Sequence, residues 1–297
     1  MSLEVLVQQL LNALSLGSIY ALLALGLAVV YSVLGLLNFA YGELITVNGY
    51  MMFVLIGAGM GFWEAALLGV VAAVAASLLI ERTAFRPLRG ASATTVIFSS
   101  FAVSVIIQNL IRNLVSPRPK GIAIPSWMDG VVAVGPFRLP VLSLITVAVA
   151  LVGGVILTAM LTRSRHGLAM RAAAEDFTTA RLMGVRAGRM IILAFGVSGL
   201  LAGIAGFLWV ARRGAVTPTM GFTPLLEAFI AVVLGGFGKL SGAVYGGFLL
   251  AFIEVALQAA LPAPLRPFTS ALTLVVVVVI LFVRPQGLAK AVEGRVA

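Results

Sequence analysis

The stretch LPVLSLITVAVALVGGVILTAML, residues 139–161, contains no charged side chain. A helix of about 20 apolar residues is long enough to cross the hydrocarbon core of a bilayer. Directly after it comes TRSRHGLAMRAAAEDFTTARLMGVRAGRM, residues 162–190, with six arginines, the one histidine of the chain and an adjacent acid pair. This change predicts a membrane-spanning helix that is followed by a structured polar loop.

The composition of the whole chain predicts an all-α membrane protein. Its 297 residues are 61% apolar and 10% charged, and the mean hydropathy is +1.14. A soluble domain carries about 25% charged residues, so this chain has too few charges to cover a surface that faces water. Further apolar runs lie at about 6–33, 36–60, 62–80, 94–115, 190–210, 224–237, 242–261 and 268–283. We therefore expect one transmembrane domain over residues 1–297, a polytopic helix bundle with eight or nine membrane segments.

Two of these runs are unlike simple spans. Residues 36–60 begin with a polar stretch and contain Gly57 and Gly59, and residues 224–237 are short. Short or glycine-interrupted segments are typical of the broken helices that line binding sites in transporters. One or both runs are therefore expected to be broken or re-entrant. The glycine pairs Gly57/Gly61, Gly199/Gly203 and Gly242/Gly246 have the spacing of tight helix crossings.

The distribution of Lys and Arg predicts the orientation of the chain. If all nine runs cross, residues 81–92, the polar loop 162–190, Lys239 and the C-terminal tail share one side, which holds 13 of the 20 basic residues. Cytoplasmic loops carry the excess of Lys and Arg, so this side is expected to be cytoplasmic and the N-terminus to lie outside. The outside loop 116–140 is rich in proline and is expected to be irregular.

The net charge of +10 does not indicate a nucleic-acid-binding protein, because the charges lie at the ends of the apolar runs. Basic residues in that position set topology and contact lipid headgroups. Membrane lipid is therefore an expected partner, and nucleic acid is not.

The polar loop 162–190, called the island below, is rich in helix formers and predicts a helix over Gly167–Met183. Arg171 and Glu175 are four residues apart and can pair on one face. Gly184 stands where a glycine would end the helix. Such a helix could lie on lipid headgroups or dock in the groove of a partner protein, and its residues alone favour neither. Its candidate contact residues are Arg171, Glu175, Asp176, Phe177, Ala180, Arg181, Leu182 and Gly184.

Ionisable or amide side chains within apolar runs are costly in a membrane and are candidates for a transport pathway. Glu43 lies in such a run, with Asn38, Tyr41, Gly42 and Asn48 around it. The alternative is a structural role, in which Glu43 pairs with a donor on another helix. Glu227 and Glu254 are also isolated acids, for which we favour a structural role. Gln108 and Asn109 are expected to hydrogen-bond between helices.

No arrangement of residues typical of a catalytic centre is evident in the sequence. One histidine and no cysteine cannot build the usual metal centres. The string GGFGKL at 235–240 lacks the first glycine of a phosphate-binding loop and the Ser or Thr after Lys239. We therefore expect a protein that is not an enzyme and holds no metal or cofactor of its own.

Several stretches together resemble a known family. They are GSIYALLALGLAVVYSVLGLLNFAYGEL at 17–44, ERTAFRPLRGAS at 81–92, AAAEDFTTARLMGV at 172–185, FGVSGLLAGIAGFL at 195–208, TPTMGFTPLLEAFIAVVLGGFGKLSGAVYGG at 217–247 and LFVRPQGL at 281–288. They are similar to the permeases of ABC importers, most of all to the branched-chain amino acid (LivH-type) permeases, over nearly the whole chain. The sequence departs from the family at Tyr41, where family members often carry His, which leaves the cargo open.

The resemblance implies a permease subunit in the inner membrane of a bacterium. Such a permease pairs with a second, related permease, with two cytoplasmic ATPases that bind ATP and Mg²⁺, and with a periplasmic substrate-binding protein. The island would then couple ATP-driven closure to transport, and loop 116–140 would be periplasmic. Arg212 and Arg213 would face the periplasm and could pair with acids on the binding protein. The cargo would be branched-chain amino acids or related small carboxylates and amides.

The residues leave one rival function open. A stand-alone secondary transporter or channel could use Glu43 or Glu254 as a proton or ion site. It would explain the acids within the apolar runs, but it would leave the island without a role.

Overall fold

Over residues 3–134, 137–175, 177–236 and 239–284, which the computed structural model describes, the chain forms eleven α-helices and four short strands. The helices are α1 Leu3–Leu34, α2 Tyr41–Gly57, α3 Phe62–Ile80, α4 Ala93–Leu114, α5 Val141–Arg163, α6 Arg165–Glu175, α7 Phe177–Leu182, α8 Ala187–Arg213, α9 Phe222–Gly235, α10 Leu240–Ala260 and α11 Thr269–Val283. The strands are β1 Lys120–Gly121, β2 Val131–Val134, β3 Phe137–Pro140 and β4 Ala215–Val216. The predicted all-α architecture is confirmed.

Seven of the described helical segments are long and apolar enough to cross a membrane, so the chain is a multi-pass membrane protein. They are Val5–Leu34, Phe62–Phe85, Ala93–Leu114, Val141–Arg163, Gly188–Arg213, Leu240–Ala260 and Ala263–Val283. The two runs singled out in the sequence became the short helices α2 and α9, of 17 and 14 residues. A polytopic bundle is confirmed, whereas the predicted number of eight or nine membrane segments is not.

The bundle has two ends, which we name by what they carry. At one end, residues 85–91, residues 184–188 and the end of α1 line a common cleft. We call this end the basic face, because it carries the island. At the other end, β1 pairs antiparallel with β4, so the loop before α5 and the loop after α8 lie together. This end is called the hairpin face.

The loop 116–140 is more regular than its prolines suggested. Strands β2 and β3 form an antiparallel hairpin in which Val132 pairs with Leu139, and a 3₁₀ turn spans Ser126–Asp129. The prediction of an irregular loop was wrong in this part. Two of its prolines lie at element ends, where no ladder hydrogen bond is lost: Pro125 precedes the 3₁₀ turn and Pro140 precedes α5.

The helices α2 and α9 meet at their N-termini in the interior of the bundle. A Cβ atom on either Gly42 or Gly221 would overlap the carbonyl oxygen of the other, so their backbones are in direct contact. The Gly221 N–H donates to Thr46 Oγ1 at 3.2 Å. From this junction α2 runs toward the hairpin face, where Gly49 packs against β4, and α9 runs toward the basic face, where Gly235 packs against the start of α10.

The two halves of the chain pack in the same pattern. Helix α1 packs on α10 as α8 packs on α3, and α2 packs on α3 as α9 packs on α10. Likewise α1 contacts α9 as α8 contacts α2, and α4 lies on α2 as α11 lies on α9. Helices α1 and α8 run antiparallel, since Gly26 lies against Leu201 while Ser15 meets Arg212. Segments α1–α4 and α8–α11 therefore form an inverted repeat about the Gly42–Gly221 junction.

The glycine pairs behave differently from one another. Gly199 and Gly203 pack on the backbone of α3, and Gly246 packs on the backbone of α9. Two of the three predicted tight crossings are thus confirmed. The prediction for Gly57/Gly61 was wrong, because no atom of another element lies within contact of a Cβ built at Gly57. The spacing alone does not distinguish them, because the close approach depends on which side of the helix has a neighbour.

Candidate functional site

Glu43 lies in the first turn of α2, beside the junction, and its side chain is 1% exposed. Its Oε1 accepts hydrogen bonds from Ser104 Oγ at 2.8 Å and Gln108 Nε2 at 2.7 Å, both on α4. Its Oε2 is buried and has no hydrogen-bond partner among the described residues. Oε1 of Glu43 therefore links α2 to α4, and Oε2 can still accept a hydrogen bond. The predicted interhelical role of Gln108 is confirmed. The same prediction for Asn109 was wrong, because Asn109 Nδ2 donates to the carbonyl of Val105 in its own helix at 2.8 Å.

The other predicted pathway residues surround the same part of α2. Asn38 Oδ1 accepts the N–H of Ala40 at 3.0 Å and orders the turn into α2. Asn48 Nδ2 donates to the carbonyl of Gly203 on α8 at 3.2 Å. The Tyr41 hydroxyl points at α1 without a hydrogen-bond partner within the described residues. The structure thus brings Asn38, Tyr41, Gly42, Glu43 and Asn48 together, all of them buried, but against helices of the same chain.

The island folds as two short helices, α6 and α7. Helix α6 begins at Arg165, two residues before the predicted start, because Ser164 Oγ accepts the N–H of Gly167 at 2.9 Å and acts as an N-cap. Helix α7 ends at Leu182, and Gly184 follows with φ of +84°, a conformation that favours glycine. The predicted stop at Gly184 is confirmed.

The island exposes apolar side chains at its end. Leu182 is 84% and Met183 81% exposed, whereas Ala180 is buried against the rest of the protein. Arg171 is exposed on α6. Asp176 lies outside the described residues, as do the side chains of Glu175, Phe177 and Arg181, so the Arg171–Glu175 pair stays a prediction. Two large apolar side chains on a basic protrusion form a surface suited to a protein groove.

A cleft of about 910 Å³ lies between the island and the helix ends of the basic face. Its walls include Leu34 at the end of α1 and the segment 184–188 after α7. Helix α3 enters this region through a π-helical turn, Glu81–Phe85, in which the buried Glu81 forms an ion pair with Arg89. Arg89, which the charge distribution placed on the cytoplasmic side, therefore also stabilises the π-helical turn.

The two arginines at the hairpin end of α8 point in different directions. The Arg213 guanidinium lies over the ring of Trp209, 4.8 Å from its centre. Arg212 Nη1 donates to Ser15 Oγ on α1 at 3.3 Å. Docking of a binding protein by this pair stays a prediction.

The sequence did not single out Tyr20, which links α1 near the start of the chain to α10 near its end. Its hydroxyl donates to Glu254 Oε2 at 2.8 Å, and the ring is 1% exposed. The signal in the sequence was a tyrosine within an apolar run, which is also an ordinary feature of helix packing.

Comparison with known proteins identifies the family of the chain. The sequence profile of the family described as branched-chain amino acid transport system / permease component matches residues 9–283. The chain belongs to this family. Among its relatives, the high-affinity branched-chain amino acid transport system permease protein BraD of Pseudomonas aeruginosa is 36% identical, over 83% of this chain and 84% of the relative. LivH of Escherichia coli, with the same description, is 33% identical over 95% and 94%.

A relative of lower sequence identity is named for a different substrate. The ribose import permease protein RbsC of Escherichia coli is 27% identical, over 84% of this chain and 77% of the relative. These relatives are permease proteins, and the chain is accordingly a transport subunit of the ABC type and not itself an enzyme. Among the described residues, no three His, Asp or Glu side chains come close enough to hold a metal ion.

Proposed function

We propose that this permease is the membrane subunit of a bacterial ABC importer for branched-chain amino acids or related small carboxylates and amides. The observation that carries the proposal is the family match over residues 9–283, with relatives named for branched-chain amino acid transport at 33% and 36% identity. It favours the importer over a stand-alone transporter that would use Glu43 or Glu254 as an ion site.

Energy for transport would come from two partner ATPases, which bind ATP and Mg²⁺. The island supports this role, since Leu182 and Met183 project from the basic face as an apolar end on a basic helix. An ATPase groove would bury these side chains, and movement of the ATPases would displace the island. The segment 184–188 shares a cleft with α1 and with the turn after α3, so this displacement would reach the bundle directly.

Alternating access would use the Gly42–Gly221 junction as its barrier. The short helix α2 extends from the junction toward the hairpin face, and the short helix α9 extends toward the basic face. A shift of one half against the other would open one side and close the other. Asn38, Tyr41, Gly42, Glu43 and Asn48 would line or brace this barrier.

The remaining partners follow from the same proposal. The basic face would lie in the cytoplasm of a bacterium with the C-terminus, and the hairpin face and the N-terminus would lie in the periplasm. A periplasmic binding protein would deliver substrate to the hairpin face, with Arg212 and Arg213 as candidate contacts. A second related permease would complete the pathway across the inner membrane.

Purification of the permease from its native membrane in mild detergent, followed by mass spectrometry of the co-eluting proteins, tests this assembly. We expect two ATPase subunits and a second permease. The complex, reconstituted into proteoliposomes with its binding protein, is expected to take up radiolabelled leucine only with ATP. A permease that elutes alone or as a homo-oligomer, or leucine uptake without ATP, would contradict the proposal.

A further inference from the structure

A second polar cluster lies apart from Glu43, toward the hairpin end of α8. It consists of Tyr20 on α1, Arg212 on α8, Glu227 on α9 and Glu254 on α10, and we call it the four-helix cluster. The Tyr20 hydroxyl donates to Glu254 Oε2 at 2.8 Å. Arg212 Nη1 donates to Ser15 Oγ at 3.3 Å, on the same helix as Tyr20, and α9 with Glu227 packs on both α1 and α10. Glu227 and Arg212 each interact electrostatically with Tyr20 and Glu254.

The charges of this cluster are near one another without being paired. All three charged residues are described, and no nitrogen of Arg212 lies within 4.0 Å of a carboxylate oxygen of Glu227 or Glu254. Glu227 Oε2 is buried and has no hydrogen-bond partner in the described part of the chain. Opposite charges attract strongly where water is scarce, and unpaired ones are costly there. One cation and two carboxylates thus lie in one region of the bundle without a direct ion pair between Arg212 and either acid.

The cluster is open on one side. Glu227 and Glu254 are half-buried, and Arg212 is exposed. Ionisable side chains in spanning helices face the interior of an assembly or a water-filled path, because lipid cannot solvate them. Phe222 and Leu226 lie on the exposed side of α9, beside Glu227, and are 43% and 39% exposed. An apolar surface therefore lies beside the acids.

We propose that the four-helix cluster is a contact site for the zwitterion of the transported amino acid. Arg212 pairs with the substrate carboxylate, and Glu227 and Glu254 accept hydrogen bonds from its ammonium group. Tyr20 holds Glu254 in position, and Phe222 and Leu226 contact the aliphatic side chain. This inference rests on the proposed function. It places Arg212 in the pathway, with the ligand chemistry of a small α-amino acid that carries both charges.

The test uses the complete transporter with its binding protein in proteoliposomes. Two quantities are measured together: radiolabelled leucine taken up, and ATP hydrolysed in the presence of leucine-loaded binding protein. The variants are Arg212→Gln, Glu227→Gln and Glu254→Gln. Matched controls are Arg112→Gln on α4 and Glu64→Gln on α3, both exposed residues outside the cluster.

We expect Arg212→Gln and Glu254→Gln to lower the leucine moved per ATP by about tenfold, the size of a lost charged hydrogen bond. For Glu227→Gln and Glu254→Gln, stimulation of the ATPases is expected to stay within about twofold of wild type, because neither the island nor the candidate binding-protein contacts Arg212 and Arg213 are changed. Arg212→Lys should restore part of the transport, since it keeps the charge. Tyr20→Phe should lower the leucine moved per ATP by less than Glu254→Gln does, with ATPase stimulation unchanged, because Glu254 loses only the donor that positions it.

Three results would overturn the inference. Wild-type leucine per ATP in all three charge variants would remove the cluster from the pathway. A parallel loss of uptake and ATPase stimulation would show a structural role, and so would failure of Arg212→Lys and Glu254→Asp to assemble. If the wild-type complex hydrolyses ATP but takes up no leucine, the proposed function itself fails, and the inference fails with it.

Discussion

At the scale of single residues, the junction between α2 and α9 is one of the tightest contacts among the described residues. Gly42 and Gly221 touch through their backbones, and the N–H of Gly221 is satisfied by Thr46. Neither position has room for a Cβ atom, because the obstacle is a backbone carbonyl that cannot rotate away. Two glycines far apart in the chain thus set the distance between the two half-helices.

Gly221→Ala is expected to lower the free energy of unfolding by about 3 kcal/mol, because the methyl group forces the half-helices apart. The matched control is Gly57→Ala in α2, where no atom meets the new methyl group. That control should be neutral or stabilising by up to about 1 kcal/mol, because alanine favours a helix. Thermal unfolding in detergent, followed by fluorescence-detected size exclusion, compares the two. Equal midpoints for both variants would contradict the close contact.

Glu43 is the second residue whose role can be separated into parts. Glu43→Gln keeps a carbonyl acceptor for Ser104 and Gln108, so assembly should be unchanged while leucine uptake falls. Glu43→Ala leaves both donors on α4 unpaired and should cost about 1–3 kcal/mol of stability. Uptake and thermal midpoint are measured on the same preparations, with Glu64→Gln as control. Wild-type uptake by Glu43→Gln would remove Glu43 from the pathway.

At the scale of elements, the island is a pair of helices whose ends are set locally. Ser164 caps the first helix and Gly184 follows the second in a left-handed conformation. Both signals can be read from the sequence, since a cap and a helix-ending glycine act on the neighbouring turn alone. The exposure of Leu182 and Met183 could not be read, because it depends on how the island packs against α5 and α8.

Replacing both Leu182 and Met183 by Ser should uncouple ATP hydrolysis from transport, because the apolar contact with an ATPase is lost. Replacing Glu175 and Asp176 by Lys should have the same effect through charge. The permease is expected to insert and fold normally in both cases. Leucine uptake is compared with ATPase stimulation in proteoliposomes, with Leu168→Ser, an exposed apolar position on α6, as control. Unchanged uptake in both variants would rule out the island as the coupling element.

At the scale of the whole molecule, the inverted repeat places equivalent helices on opposite sides of one junction. The main contacts among α1, α2, α3 and α4 have counterparts among α8, α9, α10 and α11, and the short helices α2 and α9 extend from the centre toward opposite faces. A fold with this symmetry can open toward either face with the same set of movements. The linker between the halves holds α5, α6 and α7, which explains why the island lies at one face only.

The orientation of this molecule in the membrane can be tested because the chain contains no cysteine. Arg118→Cys places a thiol at the hairpin face, and Leu182→Cys places one at the basic face. A membrane-impermeant maleimide applied to intact spheroplasts should label the first variant and spare the second. Permeabilised spheroplasts should label both, and the cysteine-free chain gives the background. The reverse pattern would place the island outside the cell and exclude contact with cytoplasmic ATPases.

The candidate site was predictable in its residues and not in its arrangement. Glu43 and Asn48 stood out as polar groups in apolar runs, and both are buried as such groups must be. The partner of Asn48 is the carbonyl of Gly203, 155 residues away, and the partner of Glu254 is Tyr20, 234 residues away. No local pattern contains such pairs, so the four-helix cluster could not be assembled from the sequence.

The sequence by itself determined the class of the protein, the positions of its apolar helices, the sharing of one face by residues 81–92 and the island, and the stop at Gly184. These properties depend on hydropathy, charge and backbone conformation, which act over one segment at a time. The tertiary structure alone decided the α2–α9 junction, the inverted repeat and the four-helix cluster. The physical reason is that lipid is as apolar as the helix interior, so the spanning helices are apolar on all sides and their composition does not show which side is buried.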